Sequence, residues 1–163
     1  VICKIRSYNA RQAELFGKEM DLIDRLVLVK SDPLTHTEFQ FSERYGCISF
    51  SSTLQDGSKG CRFKDISYSH PEYWNTQWEE YTNDEEDRAY ARAKALEGKE
   101  YDLMGAITFS PNGNVLKNST DKYWCTEAVQ ECRQAAGKQL LLIHPYRYIP
   151  RTLFFELFYL GEK

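Results

Sequence analysis

Thr35-His36-Thr37-Glu38-Phe39-Gln40-Phe41 is rich in β-branched and aromatic residues and reads as a strand. Successive strand side chains point to opposite faces, so His36, Glu38 and Gln40 share one face while Phe39 and Phe41 share the other. The phenylalanine face belongs to a core. The opposite face has two readings. It is the solvated side of a half-exposed sheet, or it is a place where a carboxylate orients an imidazole and stabilises its charged form. The strand by itself leaves both open.

Working outward, residues 47–53 and 61–67 also read as strands, and glycine-containing turns connect them (Glu43-Arg44-Tyr45-Gly46 and Gln55-Asp56-Gly57-Ser58-Lys59-Gly60). Three strands in an antiparallel meander are expected. Upstream, residues 1–5 alternate apolar and cationic. The helical spacing of Phe16, Met20, Ile23 and Val27 predicts one helix over 11–28, weakened at Gly17 and stopped by Ser31-Asp32-Pro33. Downstream, residues 68–81 are aromatic and polar without a clear period and read as a structured loop. Its Tyr73, Trp74, Trp78 and Tyr81 either form a local core or line an acceptor groove.

A helix opens at Asn83-Asp84-Glu85-Glu86-Asp87 with an Asn or Asp cap and closes at Gly98. An apolar segment follows over 101–110, then the turn Pro111-Asn112-Gly113-Asn114. A second helix is expected over 122–136, capped by Thr120 or Asp121 and ended by Gly137. A strand over 140–143, a constrained loop over 144–150 and an aromatic closing element over 152–160 complete the chain. The fold class is α+β, with an antiparallel sheet packed against helices in one domain spanning 1–163.

Composition narrows the function. A chain of 163 residues with 42% apolar content can bury a core without disulfides or a structural metal. A net charge of −3 with no sustained basic stripe argues against a nucleic-acid partner. The five cysteines lack any C-x-x-C pairing, which suggests neither a zinc site nor a disulfide framework and fits a reducing compartment. The apolar runs Leu26-Val27-Leu28-Val29 and Leu140-Leu141-Leu142-Ile143 are far shorter than the roughly 20 residues of a transmembrane helix. The given sequence has no signal-peptide pattern, so a cytoplasmic protein is the default expectation. With no phosphate loop, metal-ligand run or dinucleotide fingerprint, no cofactor and no metal are expected.

The second chemically suggestive stretch is Tyr123-Trp124-Cys125-Thr126-Glu127-Ala128-Val129. It places Cys125 in the first turn of the expected helix, where free backbone N–H groups and the positive dipole end favour a thiolate and can meet a developing oxyanion. Alternatively, Cys125, Ala128, Val129, Cys132 and Ala136 form the small buried face of a packed helix. His70 and His144 each precede a proline and read as structural. Cys132, two helical turns beyond Cys125, is too far to serve as its resolving thiol.

Several features together resemble the circularly permuted NlpC-type papain-like cysteine peptidases and amidases, relatives of lecithin:retinol acyltransferase-like proteins. They are the His36-Thr37-Glu38 strand, Gly46-Cys47-Ile48-Ser49-Phe50-Ser51-Ser52, Cys61-Arg62-Phe63, Tyr101-Asp102-Leu103-Met104-Gly105 and Trp124-Cys125-Thr126-Glu127. The resemblance covers residues 35–137, with histidine before cysteine as the permuted order requires. It implies a permuted papain-like fold in which Cys125 is the nucleophile on a helix N-terminus, His36 the general base and Glu38 the orienting group, with Ser49 or Ser51 as alternatives for the third role. Glu127 is then structural or a substrate contact, and Tyr101 and Asp102 are packing residues. The implied activity is hydrolysis of an amide bond, as in a cell-wall-type peptide, through an acyl-enzyme. The partner is a peptide or acyl-containing small substrate. An acyltransferase, a lipid or thioester hydrolase, or a non-catalytic binding module of the same fold are the alternatives.

Overall fold

The computed structural model describes residues 1–55, 57–108, 121–138 and 149–160. In chain order its strands are β1 (Ile2–Asn9), β2 (Leu34–Gln40), β3 (Ser49–Thr53), β4 (Gly60–Lys64), β5 (Trp74–Glu80), β6 (Glu100–Tyr101) and β7 (Lys122–Tyr123). Its helices are α1 (Ala10–Leu15), α2 (Leu22–Ser31), α3 (Asn83–Leu96), α4 (Leu103–Thr108), α5 (Cys125–Ala136) and α6 (Pro150–Phe155), the last running into a π-helical turn over Glu156–Leu160. The result is a mixed α/β structure with a seven-stranded sheet in the order β5-β1-β2-β3-β4-β6-β7, antiparallel except for the β6–β7 pair.

The apolar face of the sheet makes the core. Phe39, Phe41 and Phe50 are fully buried with Ala89, Ala93 and Leu96 of α3 and Ala128, Val129, Cys132 and Ala136 of α5. The alanines let two helices lie close together against the sheet, and each phenylalanine taken out of water contributes roughly 2–3 kcal/mol. Arg133 of α5, with no exposed surface, ties the layers together. Its guanidinium donates to Glu79 of β5 at 2.7 and 3.1 Å and to Glu156 after α6 at 3.2 Å.

The expected meander exists as β2-β3-β4, and α3 and α5 lie where sequence placed helices. Elsewhere the structure corrects the reading. The single helix over 11–28 is two helices, because Gly17 at φ +86° breaks the chain after α1, and Asp21 then caps α2 by accepting from the Asp24 N–H. The supposed loop over 68–81 contains β5, which pairs with β1 along its whole length. Tyr81 is core, whereas Trp78 is 66% exposed. The cap of α3 is Thr82, in a reciprocal capping box with Glu85, instead of an Asn or Asp. The segment over 101–110 begins as β6 and continues as α4. Helix α5 starts at Cys125 with Trp124 as its cap, since Lys122 and Tyr123 pair with β6; Thr120 lies outside the described residues. The turn at 111–114, the strand over 140–143 and His144 also lie outside them.

Candidate functional site

The register across three strands builds the site's wall. Tyr8 of β1 pairs with His36 of β2 on one side and with Trp74 of β5 on the other, so the three rings stand in a row on one face. The Trp74 ring stands edge-on to the imidazole, with centroids 6.4 Å apart. On the same face, two residues further along β2, the Glu38 carboxylate accepts from His36 Nε2 at 2.7 Å. The polar face is therefore not solvated: every residue of β2 is buried.

Glu38 is fixed from its other side by a residue that sequence analysis passed over. Arg62 of β4 donates through its two terminal nitrogens to the two carboxylate oxygens, at 2.7 and 2.8 Å. The signal was available in Cys61-Arg62-Phe63, since alternation with two core-type neighbours puts Arg62 on the polar face of the expected meander. Burial by itself would favour the neutral acid at Glu38, but His36 and Arg62 outweigh it and hold the carboxyl below its ordinary range. Ser49 and Ser51, the other candidates for the third role, are engaged elsewhere. Ser49 bonds the Tyr68 hydroxyl at 2.7 Å, and Ser51 donates to the Thr37 carbonyl at 2.5 Å.

Cys125 lies beside the imidazole where the pairing of β2 with β3 has ended. Pairing between β2 and β3 is confined, among the described residues, to Phe39–Gln40, so the strands part before His36. The N-terminus of α5 lies at this parting: Ser52 near the end of β3 donates to the Tyr123 carbonyl at 2.6 Å, and the Cys125 thiol lies beside the Thr37 backbone. Burial opposes ionisation of the thiol, but the hydrogen bond and charge of His36, aided by Thr126 and Thr37, bring it below the usual thiol range. His36 mirrors this. Burial disfavours its cation, yet its bonds to Cys125 and Glu38 hold the imidazolium well above the ordinary histidine range. The three residues selected from sequence are thus brought together: Cys125 and His36 lie close enough to shift each other's ionisation, and His36 is hydrogen-bonded to Glu38, with Arg62 at the far end of this line.

Not every side chain near the thiol belongs to that line. Glu127, the third residue of α5, takes the Trp124 backbone N–H and so caps the helix. Its other oxygen is buried with no hydrogen-bond partner. Burial, reinforced by the charges of Asp102 and Glu131, pushes its pKa up to about 8. Asp102 accepts from the Gly105 N–H at 2.7 Å and so organises the start of α4. Three other buried thiols differ from Cys125: burial pushes Cys3, Cys61 and Cys132 upward. His70 is exposed and bonds Glu72 at 3.2 Å.

A cleft of about 480 Å³ opens over this arrangement, lined by His36, Glu38, Arg62 and Trp74 and also by Asp21 and Asp24. Asp24 accepts from the Thr35 hydroxyl at 2.6 Å, which fastens α2 to β2 beside the histidine. Cys125 is 3% exposed and is not part of the cleft wall, so the cleft meets the line at its imidazole. No three of the described His, Cys, Asp and Glu residues cluster in a way that would hold a metal ion, and no described helix is long and apolar enough to cross a membrane. In comparisons with known proteins, no family model, no curated protein and no solved structure matches this chain.

Proposed function

We propose that the protein is a cysteine hydrolase of the permuted papain-like type, cleaving an amide bond through an acyl-enzyme. The observation that carries this reading is the line Cys125–His36–Glu38, with the thiol on the first residue of a helix and a buried carboxylate 2.7 Å from the histidine. Nε2 of His36 is occupied by Glu38, which leaves Nδ1 to exchange the proton of Cys125. The thiolate adds to the substrate carbonyl carbon, and the Cys125 backbone N–H, one of the free donors at the start of α5, meets the oxygen that becomes negative. His36 gives its proton to the departing amine as the C–N bond breaks. Water then attacks the thioester, its proton passing to His36, and the acid and the thiol are restored. An acyltransferase differs only in the acceptor that replaces water.

The low exposure of Cys125 favours a second reading, a papain-like binding module in which the same line is structural. Iodoacetamide alkylation of each cysteine, followed by mass spectrometry between pH 5 and 9, separates the two. In the hydrolase reading Cys125 reacts first near neutral pH, and His36→Ala slows it by roughly tenfold or more, each unit of raised thiol pKa removing tenfold of the thiolate. If Cys125 reacts only after denaturation, or reacts identically without His36, the hydrolase reading fails.

A further inference from the structure

We propose that a second groove, continuous with the His36 cleft, binds an aromatic or large aliphatic side chain of the substrate, and that Lys18 holds a carboxylate attached beside it. This names a substrate class for the hydrolase reading and rests on that reading. The groove has a volume of about 460 Å³ and shares Tyr8, Lys18 and Trp74 with the cleft, so a ligand lying in it extends toward the imidazole. Its surface is built of rings. Tyr8 packs against Trp74 with centroids 5.2 Å apart and edge-on to Tyr73 at 6.4 Å, while Phe16, 57% exposed, stands 6.0 Å from Tyr73. A row of ring faces and edges of this kind accepts another flat or bulky apolar group by offset contact.

Charge decides what that group carries. The Lys18 ammonium hangs over the rings, 4.9 Å from the Tyr8 centroid and 5.9 Å from that of Tyr73. The backbone of Lys18 is set by the turn that ends α1: Gly17 sits at φ +86°, and the Lys18 N–H donates back to the Ala13 carbonyl at 3.0 Å. The neighbouring carboxylates Glu19, Asp21 and Asp24 line the cleft and not the groove. The groove thus has the Lys18 cation over its rings and no carboxylate among its described lining residues, whereas the cleft carries Glu19, Asp21, Asp24, Glu38 and Asp65 together with Lys18, Arg62 and Lys64. An anionic apolar end is favoured in the groove, where no lining carboxylate opposes it, over the cleft, where carboxylates outnumber cations, and this sets the direction in which the ligand lies.

Calorimetric titration of the whole chain at low salt with N-benzoyl-L-phenylalanine, its carboxamide and N-acetylglycine tests this. The acid is expected to bind roughly fivefold more tightly than the carboxamide, the range of one exposed ion pair, and N-acetylglycine weakest of the three. Lys18→Gln should abolish the preference for the acid while leaving the carboxamide unchanged. Phe16→Ala, a change at an exposed ring, should weaken both aromatic ligands by roughly threefold. Bound acid should also slow alkylation of Cys125. Equal binding of acid and carboxamide, a preference that survives Lys18→Gln, or tight binding that leaves Cys125 reactivity untouched overturns the proposal. Lys18-dependent binding beside a Cys125 whose alkylation ignores His36 would overturn the hydrolase reading instead and leave the groove standing.

Discussion

The feature that most constrains the site at the scale of single residues is Arg62. Glu38 is 1% exposed and ionised, a state that would be costly were it not shared between the His36 imidazole and the Arg62 guanidinium. Because the depressed carboxyl pKa of Glu38 favours the fold, its contribution is present above the unfolded carboxyl value and is lost as pH falls through the lower folded one. His36 works in the opposite sense: its contribution is present at acid and neutral pH and is lost as pH rises through its raised folded value. Replacing Arg62 with Met leaves a buried carboxylate with half its partners. The expected cost, read by urea unfolding at pH 7, is about 3 kcal/mol. In a Glu38→Gln background the same replacement should cost far less, since no buried charge is then stranded. Equal costs in the two backgrounds would mean that Arg62 acts through packing and not through Glu38.

At the scale of elements, the first turn of α5 carries both the Cys125 thiol and a penalty. Glu127 titrates near 8 when folded and near its ordinary carboxyl value when unfolded, so the unfolded chain releases a proton that the folded chain keeps. Stability therefore declines as pH rises between those values, by at most about 1.4 kcal/mol per unit. Glu127→Gln retains an acceptor for the Trp124 N–H and removes the titration. At pH 5 the variant should match the parent closely, and at pH 8 it should be more stable by about 3 kcal/mol, measured by thermal or urea unfolding. A parent whose stability is flat from pH 5 to 8 would rule this out.

The same scale shows what the chain made legible. Helix α3 could be read because its signals are local: an acidic first turn, alanines on the buried side and a glycine just past the end. The Gly137 end of α5 was equally plain, but its start was not. Lys122 and Tyr123 look helical until β6, some 20 residues earlier, offers them strand pairing. The 11–28 segment kept its apolar spacing across Gly17, and backbone freedom at that one position outweighed the periodicity. Strand β5 was hidden because Asn75-Thr76-Gln77 separate its two tryptophans, so no apolar alternation marks it, and its partner β1 lies some 70 residues earlier in the chain. At the site, His36, Glu38 and Cys125 stood out as candidates in their own segments, and it was the resemblance of several segments taken together that singled them out. Arg62, Tyr8 and Trp74 became members only through cross-strand register.

For the molecule as a whole, the sheet is joined in an order that differs from the order of synthesis. The first strand ends up between β2 and the late-coming β5, and the contact of Arg6 with Thr76 closes a span of 70 residues. The meander β2-β3-β4, by contrast, needs only short connections. Long closures are entropically costly and form late unless local contacts have already been made. Pulse-labelled hydrogen exchange during refolding should therefore protect the amides of β3 and β4 before those of β5. Simultaneous protection would mean that the sheet condenses as one unit. If β5 docks last, Glu38 and Arg62 can meet in a nascent protein before Trp74 reaches His36. The ring row would then be the final part of the pocket to assemble, and ligand recognition would mature only after the charged line beneath it.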